Sequence, residues 1–405
     1  MAAHIVDEAK RCLNCRAPRC RTGCPINTPI PAMIQAILSG NIDEAGLMLF
    51  ENNPLSIICS LVCDHEKQCE GHCVLNRKEN SVNISSIEHY ISDNYLDKVK
   101  LKIEDSRNMK TAIIGSGPAG ITISILLAQR GYDVTLFDSR DQIGGVLRYG
   151  IPEFRLPKKI LSRYKKELLS LGVKIRLNTT IGGALSIDDL FRDGYRSIFI
   201  GTGVWRPNAL KIPGESLGNV HFAIDYLCNP DSYDLGDNVA IIGAGNTAMD
   251  VARTVLRKGS KQVTVYARSD VITASSVEAE YAKLDGVIFQ FGKIVTHISD
   301  DGPFFKDAVF HEDGSVEEAD DSEKLYHADS TIIAIGQGPK NKIVSTTQGI
   351  GVNEQGLLLT DVCGMTTRTG IFACGDVVHG AKTVVEAVKY AKLVAKAMDD
   401  YMQQL

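Results

Sequence analysis

The sequence predicts an α/β protein: a cysteine-rich α-helical N-terminal domain followed by two Rossmann-like domains, one inserted in the other. Three observations carry this reading. Eight of the eleven cysteines lie between Cys12 and Cys73, in a stretch without strand patterning. The segment Ala112-Ile113-Ile114-Gly115-Ser116-Gly117 recurs as Ala240-Ile241-Ile242-Gly243-Ala244-Gly245. The chain of 405 residues is too long for one ordinary core and long enough for two or three.

Composition narrows the classes of function. With 44% hydrophobic and 23% charged residues the chain is ordinary for a globular protein. Its net charge of −5 and the lack of a Lys/Arg block argue against nucleic-acid binding. No apolar run is long enough to span a bilayer, so no membrane partner is expected. The segment from Met1 to Cys15 mixes charged residues and lacks the apolar core of a secretory signal, which makes the cytoplasm the expected compartment. In that reducing setting, clustered cysteines point to metal ligation and not to disulfides.

Residues 1–105 form the expected cysteine domain. It holds a helical stretch from Pro31 to Phe50, closed by Asn52-Asn53-Pro54, and a second helix from about Asn83 to Val99 with a stripe of Ile84, Ile87, Ile91 and Tyr95. The charged segment Asp97 to Lys110 reads as a linker. The repeat follows. Each copy continues into a helical run, a glycine (Gly131, Gly259) and a second strand (Val134 to Phe137, Val263 to Tyr266), which is the order of a Rossmann unit. The expected boundaries are 106–235 with 341–405 for the first Rossmann domain and 236–340 for the inserted one.

The first loop, Gly115-Ser116-Gly117-Pro118-Ala119-Gly120, is a complete GxGxxG between an apolar strand and a helix. Its glycines allow a tight turn and close approach of backbone to a pyrophosphate, which the helix N-terminus then attracts. Asp138 ends the second strand, where it can accept hydrogen bonds from a ribose 2′-hydroxyl. The second loop reads Gly243-Ala244-Gly245-Asn246-Thr247-Ala248. Here Ala267 stands in the place of Asp138 and Arg268 follows it. Losing the carboxylate and gaining a guanidinium suits a 2′-phosphate, so NADPH is expected over NADH, which stays open. Two unlike dinucleotide sites imply a flavoprotein in which nicotinamide reduces a flavin, with FAD in the first site.

The run from Gly144-Gly145-Val146-Leu147-Arg148 through Arg155-Leu156-Pro157-Lys158 resembles the signature of a family of FAD, NAD(P)H and iron–sulfur oxidoreductases. The family includes the small subunit of NADPH glutamate synthase, the N-terminal half of dihydropyrimidine dehydrogenase and its separate bacterial electron-input subunit. It also includes the large subunit of a bifurcating NADH-dependent ferredoxin:NADP oxidoreductase. Nearly the whole chain takes part in the resemblance. Thr202-Gly203 is similar to the family's crossover between domains, and Ile335-Gly336-Gln337 to its second copy. Gly370 to Asp376 resembles the late FAD motif, in which Gly375 and Asp376 meet the ribityl chain. Thr383 then opens the helix facing the flavin. Arg148 and Arg155 would position anionic flavin or phosphate groups. Thioredoxin reductase-like enzymes share the layout but need a CxxC beside the flavin. No CxxC follows residue 73, and Cys228, Cys363 and Cys374 read as small core residues.

The cysteines run Cys12-x2-Cys15-x4-Cys20-x3-Cys24-Pro25 and Cys59-x3-Cys63-x5-Cys69-x3-Cys73. Such spacings let thiolates converge on a soft metal centre, iron–sulfur or zinc. The resemblance implies two 4Fe–4S clusters: one on Cys12, Cys15, Cys20 and Cys73, the other on Cys24, Cys63, Cys69 and Glu88, leaving Cys59 spare. A plain count of eight thiols would use Cys59 in place of Glu88. The resemblance also implies the activity: NADPH would reduce FAD, and single electrons would pass through the clusters to a catalytic partner subunit in a hetero-oligomer. No side chain is singled out as a catalytic acid or base. Only about thirty residues follow Asp376, so a separate acceptor chain is expected. That partner would be of dihydropyrimidine dehydrogenase, glutamate synthase or bifurcating type. A stand-alone NAD(P)H diaphorase and a non-enzymatic redox sensor are the other classes, the sensor disfavoured by intact nucleotide motifs.

Overall fold

The structure, a computed structural model, describes residues 3–98, 101–311, 316–319 and 322–405. Two compact units divide the chain: Met1–Arg148, Glu153–Val204 and Pro339–Leu405 in the first, Tyr149–Pro152 and Trp205–Gly338 in the second.

The cysteine region is helical: α1 Ala3–Lys10, α2 Arg19–Gly23, α3 Ile30–Leu38, α4 Ile42–Asn52, α5 Ser56–Val62 and α6 Ile84–Leu96. Pro31 lies in the first turn of α3, where its missing N–H removes no helical bond. The single helical stretch expected from Pro31 to Phe50 is in fact α3 and α4. Gly40, at φ +83°, turns the chain between them in a conformation that residues with a Cβ rarely adopt. Asn83 caps α6, its side chain accepting from the Ser86 N–H at 3.1 Å. Ile84, Ile87 and Ile91 pack into a core with Met33, Ile34, Ile37 and Leu49. Tyr95, expected in the same stripe, instead packs its ring on Gly46 of α4, where an added Cβ would lie 2.3 Å from the ring. Val99, the expected end of α6, lies outside the described residues.

The first Rossmann sheet is parallel, with strands β1 Lys110–Ile114, β2 Asp133–Phe137, β3 Lys174–Arg176 and β4 Tyr195–Ile200. In the second unit come β5 Val220–Phe222, β6 Asn238–Ile242, β7 Gln262–Tyr266, β8 Ile288–Gln290 and β9 Ser330–Ile333. β10, Ile371–Ala373, returns to the first sheet. Strand orders are β10-β4-β1-β2-β3 and β5-β9-β6-β7-β8, all neighbours parallel, so the sequence repeat is a repeat of topology. Helix α7, Pro118–Gln129, is apolar all round because it lies between the first sheet and the helix Val384–Met402. The chain enters the second unit at Trp205, upstream of the expected residue 236, because β5 adds an edge strand to β9. Lys293–Ser299 and Gly302–Phe310 add an antiparallel pair. Among the described residues no single helix is long and apolar enough to cross a membrane; α4 and α5 approach that composition only as a pair bent by 83°.

The cysteine helices and the first Rossmann sheet share one unit because buried polar contacts join them. Tyr164, fully buried on the helix Lys159–Ser170, donates to the Pro54 carbonyl at 2.6 Å. Lys392 donates to the Asn52 carbonyl at 2.6 Å, meeting one of the free carbonyls at the negative end of α4. Arg163 reaches Asp93 and Asp97 beside the end of α6. The expected linker is partly docked as well, with Glu104 and Arg107 N–H groups bonded to the Gln129 and Gly131 carbonyls. Replacing Tyr164 by Phe strands the buried Pro54 carbonyl, and chemical denaturation should register a loss of about 1–3 kcal/mol.

Candidate functional site

The Gly115–Gly120 loop gives each glycine a separate task. Gly115 has φ +102°, and a Cβ there would lie 2.4 Å from the Gly201 carbonyl oxygen of the loop after β4. At Gly120 a Cβ would stand 1.9 Å from the Gly115 oxygen, so α7 starts hard against the strand end. Around Gly117 the space is open, with nothing within 4 Å of where its Cβ would project. That opening, faced by the N-terminus of the twelve-residue α7, is where backbone and a pyrophosphate can meet. Gly144 and Gly145 fold back on the loop: the Gly144 N–H donates to the Ser116 carbonyl at 3.0 Å, and Gly145 packs on Gly117. Arg148 is held by its Nε donating to the Ile143 carbonyl at 3.0 Å, while Arg155 is half-buried in the turn before Leu156.

Asp138 lies at the end of β2, nearly buried. Its carboxylate accepts from the Ser116 N–H at 2.8 Å, from the Ser116 hydroxyl and from the Arg140 N–H at 2.9 Å. Three of its roughly four acceptor positions are therefore used, leaving one for a ribose hydroxyl. Gly375, at φ +76°, sits beside Ala119, and Asp376 follows at the start of a short helix. Burial pushes the Asp376 carboxyl up to about 6 from its usual 3.8, with the Lys382 N–H pulling the other way and Glu386 adding to the rise. Thr383 caps the helix Val384–Met402 in a reciprocal pair with Glu386.

In the second unit Gly243 repeats Gly115: φ is +115° and its Cβ would meet the Ala334 carbonyl oxygen at 2.5 Å. Gly245 repeats Gly117, with only the Thr273 hydroxyl at 3.9 Å. Asn246, Thr247 and Ala248 open the helix Asn246–Arg257, and the Asn246 side chain accepts from the Ser275 N–H at 2.9 Å. Arg268 is exposed just past β7 and makes no hydrogen bond or ion pair with any described residue. Gly336, at φ +90°, lies where Gln337–Gly338 pairs with Arg206–Pro207, and Gly203, at φ +69°, closes the first unit's strand β4 loop.

The thiols fall into two groups. Cys12, Cys15, Cys20 and Cys73 act electrostatically on one another and line an apolar recess with Ile30, Ile34, Val82 and Ile84. Burial raises Cys12 and pushes Cys20 up to about 11. In the second group Cys69 faces Glu88 and Cys24, and Cys63 faces Cys59, Glu88 and Cys69. A hydrogen bond with Cys59, then burial, holds Cys63 well above the usual thiol range. Glu88 is 7% exposed on α6, and no hydrogen bond or ion pair to a described residue holds it. Burial, with Glu70 adding, pushes its carboxyl up to about 8. A buried carboxyl close to the Cys63 and Cys69 thiols, without a partner among the described residues, suits a cationic centre. Among the described residues no three His, Cys, Asp or Glu side chains are gathered tightly enough for a single metal ion. Of the three late cysteines, Cys374 is buried as expected of a core residue. Cys228 is half-buried and Cys363 exposed, so neither is a core residue.

The pattern of the pyridine nucleotide-disulphide oxidoreductases matches residues 109–391, and that of the dihydropyrimidine dehydrogenase domain II, 4Fe-4S cluster, matches residues 1–100. The chain belongs to the pyridine nucleotide-disulphide oxidoreductase family. Within it the NADPH glutamate synthase small chain of Halomonas elongata is 33% identical, covering 98% of this chain and 90% of that one. The NAD-dependent dihydropyrimidine dehydrogenase subunit PreT of Salmonella typhimurium is 31% identical, covering 98% and 94%. Solved structures share the fold alone. FprA from Mycobacterium tuberculosis superposes with a TM-score of 0.62 at 17% identity over 74% of this chain and 85% of that one, and thioredoxin reductase from Lactococcus lactis with 0.57 at 23% over 74% and 100%. The chain is thus an FAD-dependent NAD(P)H oxidoreductase with an N-terminal iron–sulfur domain.

Several parts of this oxidoreductase site escape a reading by motif. Ser116 stands at a variable position of GxGxxG yet ties the loop to Asp138. Residues 273–275 fold over the second loop, their Thr273 and Ala274 N–H groups bonded to the Ala244 carbonyl, with no signal in the sequence. The cap formed by Thr383 and Glu386 was readable as Thr-x-x-Glu.

Two expectations follow from this geometry. Gly117→Ala should leave the apoprotein's stability within about 0.5 kcal/mol and weaken dinucleotide binding by at least about tenfold, whereas Gly120→Ala should destabilise the apoprotein itself. Asp376 keeps its proton more tightly folded than unfolded, so its contribution is complete below about 3.8 and is lost as pH rises through about 6. Denaturation of the apoprotein between about pH 4 and 7 should show Asp376→Asn removing a decline of roughly 1–3 kcal/mol.

Proposed function

We propose that this chain is the electron-input subunit of a hetero-oligomeric oxidoreductase, oxidising NADPH and delivering single electrons to a catalytic partner of glutamate synthase or dihydropyrimidine dehydrogenase type. One observation carries the reading: two thiol groups lie in the same compact unit as the Gly115–Gly120 loop. Bound flavin and clusters supply the conversion of a two-electron hydride donor into single electrons.

The chain's own residues divide the work. Gly115, Gly117, Pro118, Ala119, Gly120 and Gly145 offer backbone and open space to the FAD pyrophosphate, and Asp138 the ribose contact. Asp376 and Thr383 serve the ribityl chain and flavin ring, with Gly203, Gly375, Arg148 and Arg155 shaping the pocket around them. Gly243, Gly245, Asn246, Thr247, Ala248 and Gly336 form the nicotinamide nucleotide's cradle, and the free guanidinium of Arg268 selects a 2′-phosphate. Cys12, Cys15, Cys20 and Cys73 would hold one 4Fe–4S cluster, and Cys24, Cys63, Cys69 and Glu88 the other. Spacing too wide for a single ion favours clusters over zinc, and the unpaired buried carboxyl favours Glu88 over Cys59. The second group stands nearer the Rossmann sheet, since Tyr164 and Lys392 grip the residues just before α5. Names among the relatives support either partner type, and the NAD-dependent PreT keeps NADH in view.

The test is an anaerobic NADPH titration of the purified chain, with iron and acid-labile sulfide assayed on the same sample. About eight of each per chain, with NADPH bleaching the flavin, supports the proposal; zinc in place of iron leaves a diaphorase with structural metal. Arg268→Ala should raise the KM for NADPH by roughly 10–100-fold and leave that for NADH unchanged. Glu88→Ala should cost or perturb one cluster, and Cys59→Ser should spare both.

A further inference from the structure

We infer that the cationic surface beside the first thiol group, carrying the exposed Arg16, Arg19 and Arg21 and the exposed Leu13, is the docking surface for an acidic electron-accepting protein. The inference rests on the electron-input reading and adds to it where the electrons leave and what kind of surface receives them.

The sequence holds no Lys/Arg block, yet residues 11–24 contain four arginines and no carboxylate in a chain of net charge −5. Arg11 is tied to Glu8 at 2.7 Å and lies near Glu79. Arg16, Arg19 and Arg21 are exposed and make no hydrogen bond or ion pair with any described residue through their side chains. Arg19 and Leu13 lie on the lip of the recess whose wall carries Cys12, Cys15, Cys20 and Cys73. Leu13 is 62% exposed, an apolar side chain beside the Arg19 guanidinium in a cationic segment, a combination suited to a protein contact.

The placement decides between partners. All four thiols of this group are partly exposed and line the recess that Arg19 and Leu13 border, whereas in the other group Cys24 and Cys63 are partly exposed and Cys69 and Glu88 are buried. The group with every thiol partly exposed offers an electron the more direct way to an external acceptor. A cationic surface favours an acceptor that is acidic there, since steering between opposite charges speeds encounter at low ionic strength and like charges are rejected. A nucleic-acid site would need a basic track along the surface, and these arginines instead interleave with Cys15 and Cys20, with Arg19 on the lip of the thiol-lined recess. The transfer balances as one NADPH oxidised to NADP⁺ and H⁺ for every two one-electron acceptors reduced.

The experiment uses the full chain with flavin and iron–sulfur content restored, under anaerobic conditions and driven by NADPH. Its acceptors are an acidic 2Fe–2S ferredoxin, a basic cytochrome c and uncharged menadione. Ferredoxin reduction should fall by at least about tenfold from low to high ionic strength. R16E/R21E should lose most of the low-salt ferredoxin rate and its salt dependence while menadione reduction is unchanged. R16Q/R21Q should fall between the two. Salt-insensitive ferredoxin reduction in the unaltered chain, or cytochrome c as the faster acceptor at low salt, overturns the docking surface while menadione reduction upholds the electron-input reading. Salt-insensitive ferredoxin reduction together with single-stranded RNA binding that R16E/R21E abolishes reassigns the patch to nucleic acid and likewise overturns it. Failure of the unaltered chain to reduce any of the three acceptors overturns the electron-input reading and the docking surface together.

Discussion

Two hydrogen bonds to the turn between α4 and α5 hold the cysteine helices on the first Rossmann sheet, and much else depends on them. Tyr164 and Lys392 take the carbonyls of Pro54 and Asn52, each at 2.6 Å. Both donors are drawn from water to do so. Burial holds the Tyr164 phenol well above its usual range, with Cys59 adding to it, and lowers the Lys392 ammonium. Buried donors of this kind tolerate little displacement, because each lost bond leaves a desolvated group behind. The turn so gripped leads directly into α5, the helix of Cys59 and the approach to Cys63. The position of the second thiol group relative to the Gly115–Gly120 loop is therefore set by side chains from two helices of the Rossmann part.

The two Rossmann units show how one backbone solution serves two chemistries. Gly115 and Gly243 both press against the carbonyl of the strand returning beside them, and Gly117 and Gly245 both face open space. The units differ at the end of the second strand. In the first, Asp138 is knitted into the loop by Ser116 and Arg140. In the second, the carboxylate is absent and a free guanidinium stands one residue further on. The third glycine differs too: at Gly120 a Cβ would stand 1.9 Å from the Gly115 carbonyl oxygen, while Ala248 fills the matching place in the second helix.

The iron–sulfur domain works under an opposite constraint. Cys12, Cys20, Cys63, Cys69 and Glu88 lie in surroundings that favour their neutral forms, with Cys20 pushed up to about 11 and Glu88 to about 8. Such a site is poised for a cationic centre that compensates the burial of negative charge. Exposure differs between the groups only in part: Cys69 and Glu88 are buried, while Cys24, Cys63 and all four thiols of the first group are partly exposed.

Much of this was legible in the residues themselves. Both GxG loops, the strand that follows each, the cap at Thr383 and the two cysteine runs depend on local spacing, and local spacing is printed in the chain, whereas the grouping of the cysteines across the runs came only from the family resemblance. Glycine is demanded where a Cβ would collide, and a short continuous apolar run marks a parallel strand buried on both faces. What the sequence by itself determined was therefore the set of parts and the chemistry each can hold. Tertiary structure alone decided that α3 and α4 are separate helices, that Tyr95 rests on Gly46, that Ser116 serves Asp138 and that the second unit begins at Trp205. It also decided that Glu88 is buried without a partner among the described residues and that Arg16, Arg19 and Arg21 stay exposed beside the thiols. Each of these depends on which distant segments pack together, and burial, which sets charge and pairing alike, exists only once they have.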